Sequence, residues 1–349
     1  MALIECRNDK NAGIITLNRP EALNALNTEM VADIAAALRH WQDDETVARV
    51  IITSSSERAF CAGGDVREAV SMIAQAPETS AEPYFSAEYG LDIQIASYPK
   101  PIISLVNGIV MGGGLGLARL SDMMIVSETI KLAMPETAIG LFPDVGASHF
   151  LRKMPIEAAL MIGMTGTILT SGDVMAWELA DAHVAFDNFD EVIDRLASMP
   201  NDADLNVMKD TISGLTTTPP EPFYANQMDV VTSVFGHNSL SAIIDAAKTA
   251  KEAEPWHHAL TTRCPTSIGL FWHLMMRADE PDNAISAIQR DYFLACKMMR
   301  RPDFVEGVRA VLIDKDNQPN WQTSMAEVTS GNVLEELFDF SGMSPLPVS

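Results

Sequence analysis

Two periodicities run along this chain. Short runs rich in β-branched residues, at 13–17, 47–53, 101–106 and 123–126, predict strands. The third is apolar throughout, which predicts burial on both faces. Between the first two, Met30, Val31, Ile34, Ala37, Leu38 and Trp41 trace one helical face, with Asn27 placed to cap it. Residues 71–87 are mixed in character and contain Pro77 and Pro83, which predicts a partly helical, mobile insertion; a helix over 85–98 follows and ends at Lys100-Pro101. Two Gly-rich turns, Phe60-Cys-Ala-Gly-Gly-Asp65 and Gly112-Gly-Gly114, each follow a predicted strand and open a helix.

The second half turns helical. Residues 156–164 are apolar and helix-compatible, Ser171-Gly172-Asp173 precedes another helix, and 182–186 predicts a short strand. Residues 200–235 read as loop-rich, with Pro219, Pro220 and Pro222 as a stiff connector. Leu240, Ile243, Ile244 and Ala247 recur at helical spacing, as do Ile285, Ile288 and Tyr292. Asp303-Phe-Val-Glu306 has the form of a capping box before Val308, Val311 and Leu312. Strands outnumber helices in the first half, which is not strict βαβ alternation but leaves room for repeated strand–strand–helix units around a central sheet; the expected class is α/β over 1–200, with a mainly helical region over 201–349.

Composition narrows the function classes. Hydrophobic residues are 47% of the 349, enough for a large core. No uninterrupted apolar run reaches about 18 residues, so no membrane-spanning helix is expected. The first residues lack the charge and apolar pattern of a signal peptide, and Pro347-Val348-Ser349 is not a peroxisomal address, so the expectation is a cytoplasmic protein or a processed organellar form. Cys6, Cys61, Cys264 and Cys296 are too far apart in sequence for a zinc motif or a disulfide scaffold and read as free thiols. A formal charge of −23 argues against nucleic acid and anionic membranes as partners. It also means that an anionic ligand needs a local basic cluster or backbone N–H donors.

Candidate chemistry centres on Met134-Pro-Glu-Thr-Ala-Ile-Gly-Leu-Phe-Pro-Asp-Val-Gly146. Glu136 and Asp144 sit there in an apolar run, each directly after a proline of fixed φ. Apolar surroundings make an ionised carboxylate costly, so such groups acquire partners or shifted pKa values. Taken alone, the stretch also fits two turn residues beside a buried loop. The Gly-rich turns offer backbone N–H groups at helix starts, and Gly64 and Gly113 are the natural pair to converge on one oxygen as an oxyanion hole. Other templates fail. Leu117 stands where a dinucleotide fingerprint wants Gly or Ala, and Phe150 breaks a nucleophile elbow. His149 reads as a packed or capping residue. Met275-Met276 and Met298-Met299 read as core filler. No Walker loop, HExxH or EF-hand occurs.

Asn18-Arg-Pro20, Ala22-Leu-Asn-Ala-Leu26, Phe60–Asp65, Asn107-Gly108, Gly112–Gly114 and Pro135-Glu136 together resemble the crotonase (enoyl-CoA hydratase/isomerase) superfamily. The 134–146 stretch and Phe304-Val-Glu-Gly-Val-Arg-Ala-Val-Leu-Ile-Asp-Lys-Asp316 are similar to its 3-hydroxyisobutyryl-CoA hydrolase branch, and the likeness covers nearly the whole chain. It implies a crotonase-like ββα spiral core, and Gly64 and Gly113 as donors to a thioester oxygen. It implies Glu136 and Asp144 as catalytic carboxylates, with Glu88, Gly113, Glu136 and Asp144 in contact with substrate. Ala22, Leu23, Ala25, Ala62, Gly63 and Asp65 would line the coenzyme A groove, with Arg19 and Arg58 as candidates for its phosphates. No metal or redox cofactor is implied, and homo-oligomers are common in the superfamily.

One departure is informative. Hydratases carry a second glutamate four residues into the helix after the middle Gly-rich turn, and here that position is Gly116. The resemblance therefore implies hydrolysis of a short branched 3-hydroxyacyl-CoA in valine breakdown, with Glu136 as nucleophile or general base. An enoyl-CoA hydratase or isomerase, and a non-catalytic acyl-CoA-binding protein, are the rivals.

Overall fold

The computed structural model describes residues 2–76, 81–277 and 283–348. Its strands form two sheets. The larger has the order β1 (Ile4–Asp9), β2 (Ala12–Leu17), β3 (Arg49–Ser54), β5 (Ile102–Val106), β7 (Met123–Val126) and β9 (Ala182–His183); the smaller has the order β4 (Ala59–Cys61), β6 (Ile109–Met111) and β8 (Lys131–Ala133). Among the described strands, β1 and β2 pair antiparallel and the other neighbours pair parallel. Each pair β3–β4, β5–β6 and β7–β8 places its first strand in the large sheet and its second in the small one. The chain thus winds as a spiral of strand–strand–helix units, as expected from the sequence. Helices α1 (Thr28–Gln42), α2 (Val66–Gln75), α3 (Glu82–Ala96) and α4 (Gly113–Arg119) alternate with these pairs.

Both faces of the large sheet are covered, which is what its uninterrupted apolar strands require. Ile15, Leu17, Val50 and Ile52 face the main core; Ile14, Ile51, Ile103 and Ile125 face a smaller one closed by Phe189, Val192 and Leu196 of the helix Phe189–Ala197. Arg49 is fully buried at that join, and its guanidinium donates to the carbonyls of Leu196, Met199 and Pro200. A cation there satisfies carbonyls that a helix end leaves open.

Local expectations fared unevenly. Asn27 caps α1, its side chain accepting the Met30 N–H. The mixed insertion at 71–87 resolves into α2 and the start of α3, while 77–80 lie outside the described residues. Helix α3 begins at Glu82 rather than 85, since Pro83 lies in its first turn, where proline costs nothing. The loop-rich 200–235 contains the helices Leu205–Ile212 and Met228–Phe235. The capping box at 303–306 does not form. Asp303 accepts the Gln322 N–H instead, and Glu306 pairs with Arg309 and accepts the Asn320 N–H. Both acids are drawn off to hold the segment that follows the helix Pro302–Val308.

The later helices pack directly on the spiral: Ala284–Met298 lies against α3, and Pro302–Val308 against the 3₁₀ turn Glu136–Ile139. The last contact is backbone on backbone. A Cβ at Gly307 would sit 2.4 Å from Ile139 C, and one at Gly140, whose φ is +74°, would sit 2.4 Å from Asp303 O. No described helix is long and apolar enough to cross a membrane.

These contacts predict opposite outcomes for two glycines. Gly307→Val should cost about 1–3 kcal/mol by overpacking, seen as a lower urea midpoint. Gly90→Ala, inside α3 with nothing within 4 Å of the added carbon, should raise stability by about 0.5–1 kcal/mol. Equal responses at the two positions would contradict the packing.

Candidate active site

Three functional segments leave the C-terminal ends of the three strands of the small sheet. The turn 62–64 follows β4, Gly112 and Gly113 follow β6, and Met134-Pro135-Glu136 follows β8. Parallel pairing of Met111 with Ala133 and of Cys61 with Val110 sets these ends side by side. The first turn is pinned from both sides: Leu26 N–H donates to Gly63 O and Asp65 N–H to Leu26 O, each at 2.8 Å. The Gly64 N–H lies between these bonds. Gly113 opens α4, where N–H groups have no intrahelical acceptor. A Cβ on Gly113 would lie 3.4 Å from Gly64 N, so the two amides are neighbours, and it would come within 2.1 Å of Glu88 Oε1. Glycine is needed here for close approach.

A cavity of about 340 Å³ opens on this junction, and its lining includes Gly64, Gly113, Glu88, Glu136 and Asp144. Glu136 is 5% exposed, and neither carboxyl oxygen has a hydrogen-bond partner among the described residues. Burial and the neighbouring Asp144 push its pKa well above the ordinary range, against a weaker pull from Arg263. Arg263 Nη1 donates to Thr137 Oγ1 at 3.0 Å and Cys264 N–H to Thr137 O at 2.9 Å, which clamps the turn carrying Glu136. Asp144 accepts a hydrogen bond from the Tyr89 hydroxyl. Burial still pushes it up to about 7. Two buried carboxyls this close titrate as a pair that resists carrying two charges. Tyr89 favours the anion on Asp144, and Arg263 favours it on Glu136.

Helix α3 supplies the third wall. Burial and the charge of Asp144 raise Glu88 to about 8, so it is mainly protonated near neutral pH. Asp92, one turn on, is 2% exposed, and its Oδ2 has no partner among the described residues. At Gly116, a Cβ would lie 3.0 Å from Val145 Cβ and 3.2 Å from Asp92 Oδ1. Val145 has φ +49°, a strained conformation for a β-branched residue, and Gly146 N–H beside it donates to Asp291 Oδ2 at 2.9 Å. The left-handed bend turns Val145 onto α4, into the space beside Gly116.

The structure therefore gathers Gly64, Gly113, Glu88, Glu136 and Asp144 around one cavity, and Ala62 and Gly63 line it too. Ala22, Leu23, Ala25 and Asp65 lie beside the lining: Ala62 N–H donates to Leu23 O, and Asp65 pairs with Arg19 at 2.7 Å. Arg19 also donates to Ala25 O, so it braces the turn and is not free for a phosphate, while Arg58 is exposed. Sequence reasoning missed Tyr89, Asp92, Val145 and Arg263. Asp92 had a signal, as an acid one turn after Glu88 in a helix otherwise apolar on most sides; Arg263 had none.

A model of the enoyl-CoA hydratase/isomerase family matches residues 12–338. The chain belongs to the enoyl-CoA hydratase/isomerase family. Names within reach of it differ. The mitochondrial 3-hydroxyisobutyryl-CoA hydrolase of Xenopus tropicalis is 35% identical over 341 residues, covering 96% of this chain and 88% of that one. A small ribosomal subunit protein of Schizosaccharomyces pombe is 34% identical over 92% of this chain and 76% of its own. The crystal structure of a carnitinyl-CoA dehydratase from Mycobacterium thermoresistibile superimposes with a TM-score of 0.89 at 30% identity, covering 100% of this chain and 99% of that one. Family membership accounts for the spiral core and the paired Gly-rich turns; the carboxylates must discriminate the reaction.

The electrostatics predict a displaced pH profile for kcat/KM on a thioester substrate. With a carboxylate required on the Glu136–Asp144 pair, activity should rise with pH through an acid limb well above 4.5. Tyr89→Phe removes a bond that favours the Asp144 anion and should move that limb to higher pH. An alkaline limb near 8 should vanish in Glu88→Gln. An acid limb near 4.5 in both wild type and Tyr89→Phe would contradict the coupling.

Proposed function

We propose that the chain hydrolyses the thioester of a short branched 3-hydroxyacyl-CoA, with 3-hydroxyisobutyryl-CoA as the preferred substrate, as in valine breakdown. The observation that carries this reading is the buried Glu136 carboxyl, without a hydrogen-bond partner among the described residues, in the cavity that Gly64 and Gly113 also line. Names of relatives at about 35% identity over most of the chain point the same way.

The Gly64 and Gly113 N–H groups receive the thioester oxygen and stabilise the charge that grows on it. That alone serves an enolate or a tetrahedral intermediate, so the carboxylates choose the reaction. Hydration needs two carboxylates on one water at Cβ. Position 116 cannot supply the second, because it is glycine and Val145 is packed against it. Asp144 approaches from the loop after the Glu136 turn instead. Glu136 then either attacks the carbonyl carbon, giving a mixed anhydride that a water afterwards cleaves, or takes a proton from a water that attacks directly; in both routes the C–S bond breaks and the departing thiolate takes up a proton. Asp144, held by Tyr89, stays beside Glu136 as the partner that shares its proton. Glu88, protonated by burial, offers a donor and an acceptor to the 3-hydroxyl. The reaction draws only on water and groups of the chain.

The test is coenzyme A release, followed with a thiol-trapping reagent, from 3-hydroxyisobutyryl-CoA, a straight-chain 3-hydroxyacyl-CoA and an enoyl-CoA. Release should be fastest with the branched hydroxy thioester, and Glu136→Gln should slow it about 10²–10⁴-fold. Hydration of the enoyl thioester without thiol release would establish the rival. Substrate binding with no turnover in wild type would point to a carrier.

A further inference from the structure

A second cavity, about 480 Å³, lies behind the turn that carries Glu136. It shares Ala138 and Val311 with the cavity at the glycine amides, and Arg263 lines it. Arg263 Nη1 bonds Thr137 Oγ1 and Pro135 O, and among the described residues no carboxylate lies within 4.0 Å of its guanidinium. That is notable in a chain of net charge −23. The hydroxyls of Thr165 and Thr167, 2.7 Å apart, and the rings of Tyr224 and Trp256 complete a polar and aromatic lining. The shared Val311 belongs to a π-helical turn, Arg309–Ile313, a local irregularity frequent at functional sites.

We infer that this rear cavity binds a small organic carboxylate at Arg263, and that its ligand is the acid released from the thioester. The inference rests on the hydrolase reading. Hydrolysis creates a carboxylate beside Glu136 and Asp144, where like charge disfavours it. Coenzyme A, the larger product, occupies the front groove. On the far side of the Glu136 turn stands a guanidinium with no carboxylate within 4.0 Å among the described residues, beside the Thr165 and Thr167 hydroxyl oxygens, which can accept from a ligand hydroxyl, and an aromatic wall. Those are the groups that hold a short hydroxy acid.

Product inhibition of coenzyme A release by added 3-hydroxyisobutyrate tests this. The acid should inhibit noncompetitively against the acyl-CoA, since it binds outside the groove. Arg263→Met should weaken inhibition by the acid about tenfold or more while leaving inhibition by coenzyme A unchanged. Strict competition with acyl-CoA, or an unchanged inhibition constant for the acid in Arg263→Met, would overturn the site. If that variant is inactive, titration of 3-hydroxyisobutyrate into enzyme saturated with coenzyme A decides. A saturable fluorescence change is expected in wild type, lost in Trp256→Phe and in Arg263→Met. Its absence in wild type also overturns the site. Failure of the hydrolase reading looks different: no thioester releases coenzyme A, whatever the titration shows.

Discussion

The active-site geometry depends on the parallel pairing of three very short strands. β4, β6 and β8 contribute three residues each, and their C-terminal ends deliver Gly64, Gly113 and Glu136 to one place. A register slip would carry the reactive groups several ångströms apart, since each residue of a strand advances about 3.3 Å. Such short strands are poor at holding register by themselves. The large sheet helps to do it for them, because every strand of the small sheet follows, after a short connection, a strand of the large sheet that is buried on both faces. The helix Pro302–Val308 then closes on the Glu136 turn with backbone contacts that admit no side chain.

This scaffold concentrates acid where water is scarce. Glu88, Asp92, Glu136, Asp144 and Asp291 are all buried. Isolated ionised carboxylates in such a setting cost several kcal/mol each, so most of the group must be protonated or hydrogen-bonded. Tyr89 holds Asp144, the Gly146 N–H holds Asp291, and Arg263 pulls weakly on Glu136 from behind. The pair resists carrying two charges, and it lines the same cavity as the amides of Gly64 and Gly113. The strained Val145 belongs to the same economy: its unfavourable φ is tolerated because the bend seats its side chain against Gly116 and keeps a second glutamate out.

Much of this was legible in the sequence, and the legible part has a physical pattern. Gly64, Gly113, Glu136 and Asp144 stood out locally as candidates, by Gly-rich turns at helix starts and by acid in an apolar run, and the resemblance gave them their roles. Resemblance supplied Glu88. Tyr89 and Arg263 could not be read, because a tyrosine in a buried helix and an arginine after a polar turn look ordinary until the fold sets them beside a carboxyl. The capping box at 303–306 failed for a related reason. The spacing was right, yet Arg309, one turn on, and the N–H groups of Asn320 and Gln322 took up both acids. The insertion at 71–87 is partly helical, as expected, but the helix expected from 85 starts at Glu82, with Pro83 in its first turn.

The central claim is that the thioester carbonyl sits between two glycine amides with Glu136 facing its carbon. A structure of the protein with a ketone analogue of the substrate, in which methylene replaces sulfur, measures this directly. The account predicts the ketone oxygen at about 2.7–3.1 Å from both the Gly64 and the Gly113 nitrogens, with the Glu136 carboxyl next to the ketone carbon. A ketone oxygen bound elsewhere, or Glu136 turned away from it, would contradict the account.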